Sequence, residues 1–103
     1  MNKEEEYENL RQQLQINTAQ KQNLQLQYNE MKKTLGEVEK TPDGEELYEL
    51  VGQILIKKDK KAVLEELKDK VDIIEFRLKS IDKSLSSDTQ KLQELQKELD
   101  KSD

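Results

Sequence analysis

Apolar residues recur along this chain at alternating steps of three and four. They run first through Tyr7, Leu10, Leu14, Leu24, Tyr28, Met31, Leu35 and Val38, with the polar Asn17 and Lys21 holding the two positions between Leu14 and Leu24. They run again through Leu64, Leu67, Val71, Ile74, Leu78, Ile81, Leu85, Leu92 and Leu95, with Asp88 between Leu85 and Leu92. A repeat averaging about 3.5 residues is the seam of a coiled coil, because it keeps one stripe of each helix turned toward its partner. Folding the chain back at its middle pairs Val38 with Leu64, Leu35 with Leu67 and so on out to Tyr7 with Leu95, with no register shift. The pattern predicts helices over about residues 2–40 and 60–101, joined in an antiparallel intramolecular coil.

Gln, Glu, Lys and Leu fill the first arm, and no proline interrupts it before Thr41-Pro42-Asp43-Gly44. There the missing proline amide and the Asp-Gly pair end the helix. Gly36 is expected to loosen the last turns of this arm. Asp59 is placed to cap the second helix, its carboxylate accepting from an early backbone N–H. Ser84, Ser86, Ser87, Asp88 and Thr89 are poor helix formers and make a weak patch in the second arm.

Between the arms the period changes. From Glu46 to Lys57, branched and aromatic residues flank Gly52-Gln53, a pair suited to a tight reversal with glycine at positive φ. A two-stranded hairpin is predicted at about residues 45–58. A helical hairpin needs only a short polar connection, whereas this insert carries Leu47, Tyr48, Leu50, Val51, Ile54, Leu55 and Ile56. The fold class is therefore mainly α: a long antiparallel two-helix coiled coil with a β-hairpin inserted between the helices, residues 1–103 forming a single domain. A lone hairpin is marginal in water, and one with apolar faces and open edges invites aggregation. Strands from other chains are expected to pair with it, most simply in a shared barrel platform that removes the edges.

Asn17, Lys21 and Asp88 break the seam in its outer half, where they face Leu85, Ile81 and Leu14. A buried polar group without a partner costs about 1–3 kcal/mol, so this zone is expected to be looser than the rest. Two readings stand side by side. Seam polar residues select register, or the outer arms part and expose Leu10, Leu14, Leu92, Leu95 and Leu99. Ile16, Leu26, Ile73 and Phe76 lie off the seam and read as surface, where single apolar residues are common.

Composition narrows the chemistry. The 103 residues are 40% charged and 32% hydrophobic with one Phe and no Trp, too lean for a compact core. Cysteine and histidine are absent, which removes the common zinc ligands, the thiol nucleophile and the side chain that titrates near neutrality. Gly36, Gly44 and Gly52 are isolated and form no phosphate loop. Carboxylate pairs such as Glu65 and Glu66 lie on a solvated face with no enclosed cavity to perturb them. No catalytic residue, metal or cofactor is expected. The net charge of −5 opposes a role on nucleic acid, and Lys57, Lys58, Lys60 and Lys61 read as a solvated strand end entering a helix, with an anion site as the alternative. No signal peptide and no stretch able to cross a bilayer is present, so a cytoplasmic protein is expected.

Tyr48-Glu49-Leu50-Val51-Gly52-Gln53-Ile54-Leu55-Ile56-Lys57, followed by the Glu-Glu-Leu-Lys-Asp-Lys and Phe-Arg-Leu-Lys stretches between Asp59 and Leu85, resembles the prefoldin family, specifically its β-type subunit. A single hairpin insert is similar to the β type rather than the α type. The resemblance implies an ATP-independent chaperone that holds unfolded polypeptides and delivers them to a group II chaperonin. It implies a hexamer of two α-type and four β-type subunits whose coils hang from a β-barrel. Carried onto this sequence, the platform residues are Leu47, Tyr48, Leu50, Val51, Gly52, Ile54, Leu55 and Ile56. The client-holding surface is the distal coil at Tyr7, Leu10, Leu14, Leu92, Leu95 and Leu99, assigned by place on the coil. The competing reading is a passive structural or adaptor coil, which would keep its seam apolar to the ends and carry no sticky hairpin.

Overall fold

The structure, a computed structural model, describes residues 2–101. Helix α1 spans Lys3–Lys40, strand β1 Leu47–Val51, strand β2 Ile54–Lys58 and helix α2 Lys60–Lys101. Two long helices with a hairpin between them is the fold class read from the sequence.

Local chemistry sets the helix ends. Asn2 caps α1: its Oδ1 accepts from the Glu5 amide at 2.8 Å while its Nδ2 donates to Glu5 Oε1 at 3.2 Å, a reciprocal arrangement like a capping box. Glu4, Glu5 and Glu6 then complement the positive end of the helix dipole. Asp59 caps α2 as expected, its Oδ2 accepting from Ala62 N at 3.4 Å and its carbonyl from Val63 N at 3.0 Å. After Lys40 the chain turns through Pro42, whose carbonyl accepts from Glu45 N at 3.2 Å, and Gly44 at φ 90°.

Neither expected weak point interrupts a helix. α1 continues through Gly36 to Lys40, and α2 through the Ser84–Thr89 patch to Lys101. Gly36 adjoins Leu35, the buried residue of α1, and has open space where a Cβ would stand. Tertiary contact along an apolar stripe commonly outweighs local propensity.

Two compact units make up the chain, one of residues Leu26–Glu75 and one of the segments before and after it. In the first, helical segments flank the hairpin, and the core is Leu35, Val71 and Ile74 at 8%, 5% and 5% exposure. Tyr28 Oη donates to Glu75 Oε1 at 2.8 Å across the two helices. In the second unit Tyr7, Leu10, Leu14, Leu24, Leu78, Ile81, Leu85, Leu92 and Leu95 are half-buried, and none of its described residues is fully buried. The outer seam is thus less buried than the inner one.

The polar interruptions themselves differ from expectation. Lys21 does not sit unpaired against Ile81; its Nζ reaches Asp82 Oδ1 at 2.6 Å. Its long stem lies along the seam while the ammonium stays wet, the usual behaviour of lysine on an apolar surface. Asn17 and Asp88 are half-buried, and no buried side-chain nitrogen or oxygen among the described residues lacks a partner. The full penalty of an orphaned polar group is therefore not incurred.

Because cavity cost follows burial, Ile74→Ala should destabilise the helical fold by about 2–4 kcal/mol and Leu14→Ala by about half that or less. Urea titrations followed by far-UV circular dichroism at one fixed protein concentration measure the difference.

Candidate functional site: the hairpin and the terminal seam

β1 and β2 pair antiparallel in the register Leu47 with Lys58, Tyr48 with Lys57, Glu49 with Ile56, Leu50 with Leu55 and Val51 with Ile54. The two-residue reversal is Gly52-Gln53, with Gly52 at φ 61° and no positive φ at Gln53. Glycine first in a two-residue turn is the II′ pattern, whose twist matches that of the strands. Each strand has a neighbour on one side only among the described residues.

Side-chain alternation divides the hairpin into two faces. Leu47, Val51, Ile54 and Ile56 share one with Glu49 and Lys58; Tyr48, Leu50 and Leu55 share the other with Lys57. Both are apolar toward the turn, and both are open to water. Leu50, Ile54 and Leu55 are 66%, 66% and 65% exposed, and Tyr48, Val51 and Ile56 lie between 41% and 53%. Charge is confined to the base, where Glu46 Oε1 meets Lys57 Nζ at 3.4 Å and Glu49 Oε2 meets Lys58 Nζ at 3.5 Å. Leu47 is the half-buried member, turned to a small apolar hollow with Val38, Val63 and Leu67.

The second candidate surface is arranged differently. Tyr7, Leu10, Leu14, Leu92, Leu95 and Leu99 all lie in the seam and are half-buried. A shallow groove there is lined by Leu10 and Leu95 between Glu6, Lys91, Glu94 and Glu98. Lys3 Nζ meets Glu98 Oε2 at 3.2 Å across the helices. Half-burial leaves these apolar side chains partly covered, so presenting them fully requires the helices to part.

Two phenols carry the clearest electrostatic signature. Tyr28 is held above the ordinary tyrosine range by its bond to Glu75, with burial adding to the effect. Tyr48 is raised in the same direction by its bond to Glu46 at 2.6 Å. Glu8 is shifted down by its bond to Arg11 at 2.7 Å. The Tyr28 bond was legible only indirectly, as a seam aromatic facing a helix that carries a carboxylate one place beyond its partner. Among the described residues no group of three or more acidic, histidine or cysteine side chains is placed to hold a metal ion.

A family model described as prefoldin subunit matches residues 1–102. The chain belongs to the prefoldin family. Prefoldin subunit beta of Thermococcus onnurineus is 43% identical over 88 residues, which cover 85% of this chain and 76% of that relative. Prefoldin subunit beta of Pyrococcus abyssi is 40% identical over 88 residues, covering 85% and 75%. The crystal structure of the prefoldin beta subunit from Thermococcus strain KS-1 matches with a TM-score of 0.88 at 34% identity, over 97% of this chain and 88% of that one. The single-hairpin β type read from the sequence is therefore the right branch of prefoldin. Prefoldin is a chaperone family, and membership implies hetero-oligomeric assembly with other prefoldin subunits. No helix among the described residues is long and apolar enough to cross a membrane.

Both raised phenols bond as neutral donors, so what they add to stability is complete below the unfolded phenol's pKa and is lost as pH rises through the higher folded values. Alkaline titration of the phenolate absorbance should show late-ionising tyrosines, and Tyr28→Phe should remove one late component while leaving that of Tyr48.

Proposed function

We propose that this chain is a β-type subunit of a prefoldin hexamer with two α-type and four β-type members, a non-enzymatic, ATP-independent chaperone of the cytoplasm. In this reading the hairpins join in a β-barrel platform. The terminal seams hold unfolded polypeptides and pass them to a group II chaperonin. The observation that carries it is the hairpin: six apolar side chains exposed on two faces of a ribbon with open edges.

Magnitudes favour a closed assembly over a pair. Covering those side chains is worth roughly 1–2 kcal/mol each at their exposures, while association costs on the order of 4–15 kcal/mol. A single encounter that uses one edge and one face barely breaks even. A ring in which every hairpin uses both edges gains twice the strand pairing and leaves no edge free.

At the other surface, half-buried leucines give weak and unspecific contacts, and several coils on one platform convert weak contacts into avidity. Glu4, Glu5, Glu6, Glu94, Glu98 and Asp100 surround them and keep an unoccupied end soluble. Asp103, which the sequence adds to this group, lies outside the described residues. The thin outer seam favours the flexibility reading of Asn17, Lys21 and Asp88, since parting helices that bury little costs little.

The assembled protein should suppress aggregation of several unrelated denatured proteins without nucleotide, as followed by light scattering. Failure with every client despite correct assembly would favour the passive scaffold. Leu50→Asp with Leu55→Asp should abolish association with an α-type subunit in mass measurements while leaving the helical signal intact. Lys21→Leu should raise the melting temperature by filling the seam and lower client holding severalfold; unchanged holding would return the polar seam residues to register selection.

A further inference from the structure

We infer that Lys60 is the positioning residue of the hairpin, and that it acts by closing the end of α1 rather than by pairing with Asp43. This rests on the reading of the hairpin as the assembly surface.

Lys60 is the first residue of α2, and the first turn of that helix contains no acidic residue. A cation there is disfavoured by the positive end of the helix dipole, so its own helix gives no reason for a lysine. The neighbouring helix does. α1 ends at Lys40, and its last carbonyls have no partner within the helix. Lys60 Nζ donates to the Thr41 carbonyl at 2.7 Å, in a part-buried setting. The ammonium thus sits just past the negative end of α1, where a cation is favoured, and closes the carbonyl of Thr41, the residue that follows the helix.

The same nitrogen meets Asp43 Oδ1 at 3.1 Å, but the two contacts are unequal. The Asp43 side chain is 96% exposed, so water competes for it. The Lys60 side chain is only 24% exposed, against 66% for Lys57 and 36% for Lys58 in the ion pairs at the hairpin base. An ion pair with one partner in water adds little, whereas a charge-assisted bond to an unpaired carbonyl satisfies a group that needs it.

Geometry gives the bond its consequence. The chain enters β1 through Thr41-Pro42-Asp43-Gly44 and leaves β2 into Lys60 by way of Asp59. Lys60 therefore ties the point where the insert departs from α1 to the point where it joins α2. Both ends of the hairpin are anchored by one side chain, which fixes the direction in which its apolar faces are presented. Thr41 Oγ1 donates back to the Glu37 carbonyl at 3.1 Å and holds the other side of the joint.

The test uses the full chain with Lys60→Met, Lys60→Arg and Asp43→Asn, reading amide hydrogen exchange across residues 45–51, affinity for a purified α-type prefoldin subunit, and the helical melting curve. Lys60→Met should speed exchange in that segment and weaken association, each on the order of tenfold, with the helical melt little changed. Lys60→Arg should restore both, and Asp43→Asn should stay within about twofold of the parent. The inference is overturned if Lys60→Met leaves exchange or association as in the parent, if it lowers the helical melt in proportion, or if Asp43→Asn reproduces its effect. Should the Leu50→Asp and Leu55→Asp chain still associate, the assembly reading fails, while the exchange results still report on the joint.

Discussion

Helix against helix along a single stripe is the interaction on which everything else in this protein depends. A seam one side chain deep has no second layer to absorb a misfit, so each apolar residue finds cover only if the opposite helix is in step with it. Among the described residues only Leu35, Val71 and Ile74 are buried, at 5–8% exposure, and they sit in the hairpin unit. Register is therefore worth more here than depth of packing. The polar links between helices serve the same end: Lys3 with Glu98, Lys21 with Asp82 and Tyr28 with Glu75 each lie beside the folded-back apolar pairs. Exposed ion pairs add little stability, but links spaced along the stripe penalise any sliding of one helix on the other.

Periodicity made most of this architecture legible. Every position assigned to the seam, from Tyr7 to Val38 and from Leu64 to Leu95, is half-buried or buried in the structure, the polar Asn17, Lys21 and Asp88 included. The reversal at Gly52-Gln53 was equally plain, because a two-residue turn with glycine first leaves few alternatives. What escaped was set by the reach of long side chains rather than by spacing. Lys21 finds Asp82 by extending past the seam, Tyr28 finds Glu75, and Lys60 finds a backbone carbonyl that no residue pattern encodes. The weak helix formers at Gly36 and in the serine patch leave both helices unbroken. At the terminal seam the sequence named the apolar residues but not their state, which is half-burial rather than open display.

The hairpin obeys a different logic from the helices that carry it. Its residues satisfy strand preference and turn chemistry, yet its own chain provides no cover for Leu50, Ile54 or Leu55. Local rules and monomer solubility are in conflict there, and such conflicts mark places shaped by something outside the chain. Charges are kept to the base, where Glu46 with Lys57 and Glu49 with Lys58 span the two strands. They hold strand register where a one-residue slip would exchange the two faces, and they leave the strand residues of the outer half, Leu50, Val51, Ile54 and Leu55, all apolar.

The back-folded pairing also limits how such a chain can change its length. Because Tyr7 answers Leu95 and Val38 answers Leu64 across the same bend, inserting residues into one arm alone strands every apolar position beyond the insertion opposite the wrong neighbour. An arm can grow or shrink only when the other does so at the matching level, and by whole repeats of about seven residues that return the stripe to its side. A variant with a shorter or longer coil then keeps its seam when changes are made in compensating pairs, one on each side of the hairpin.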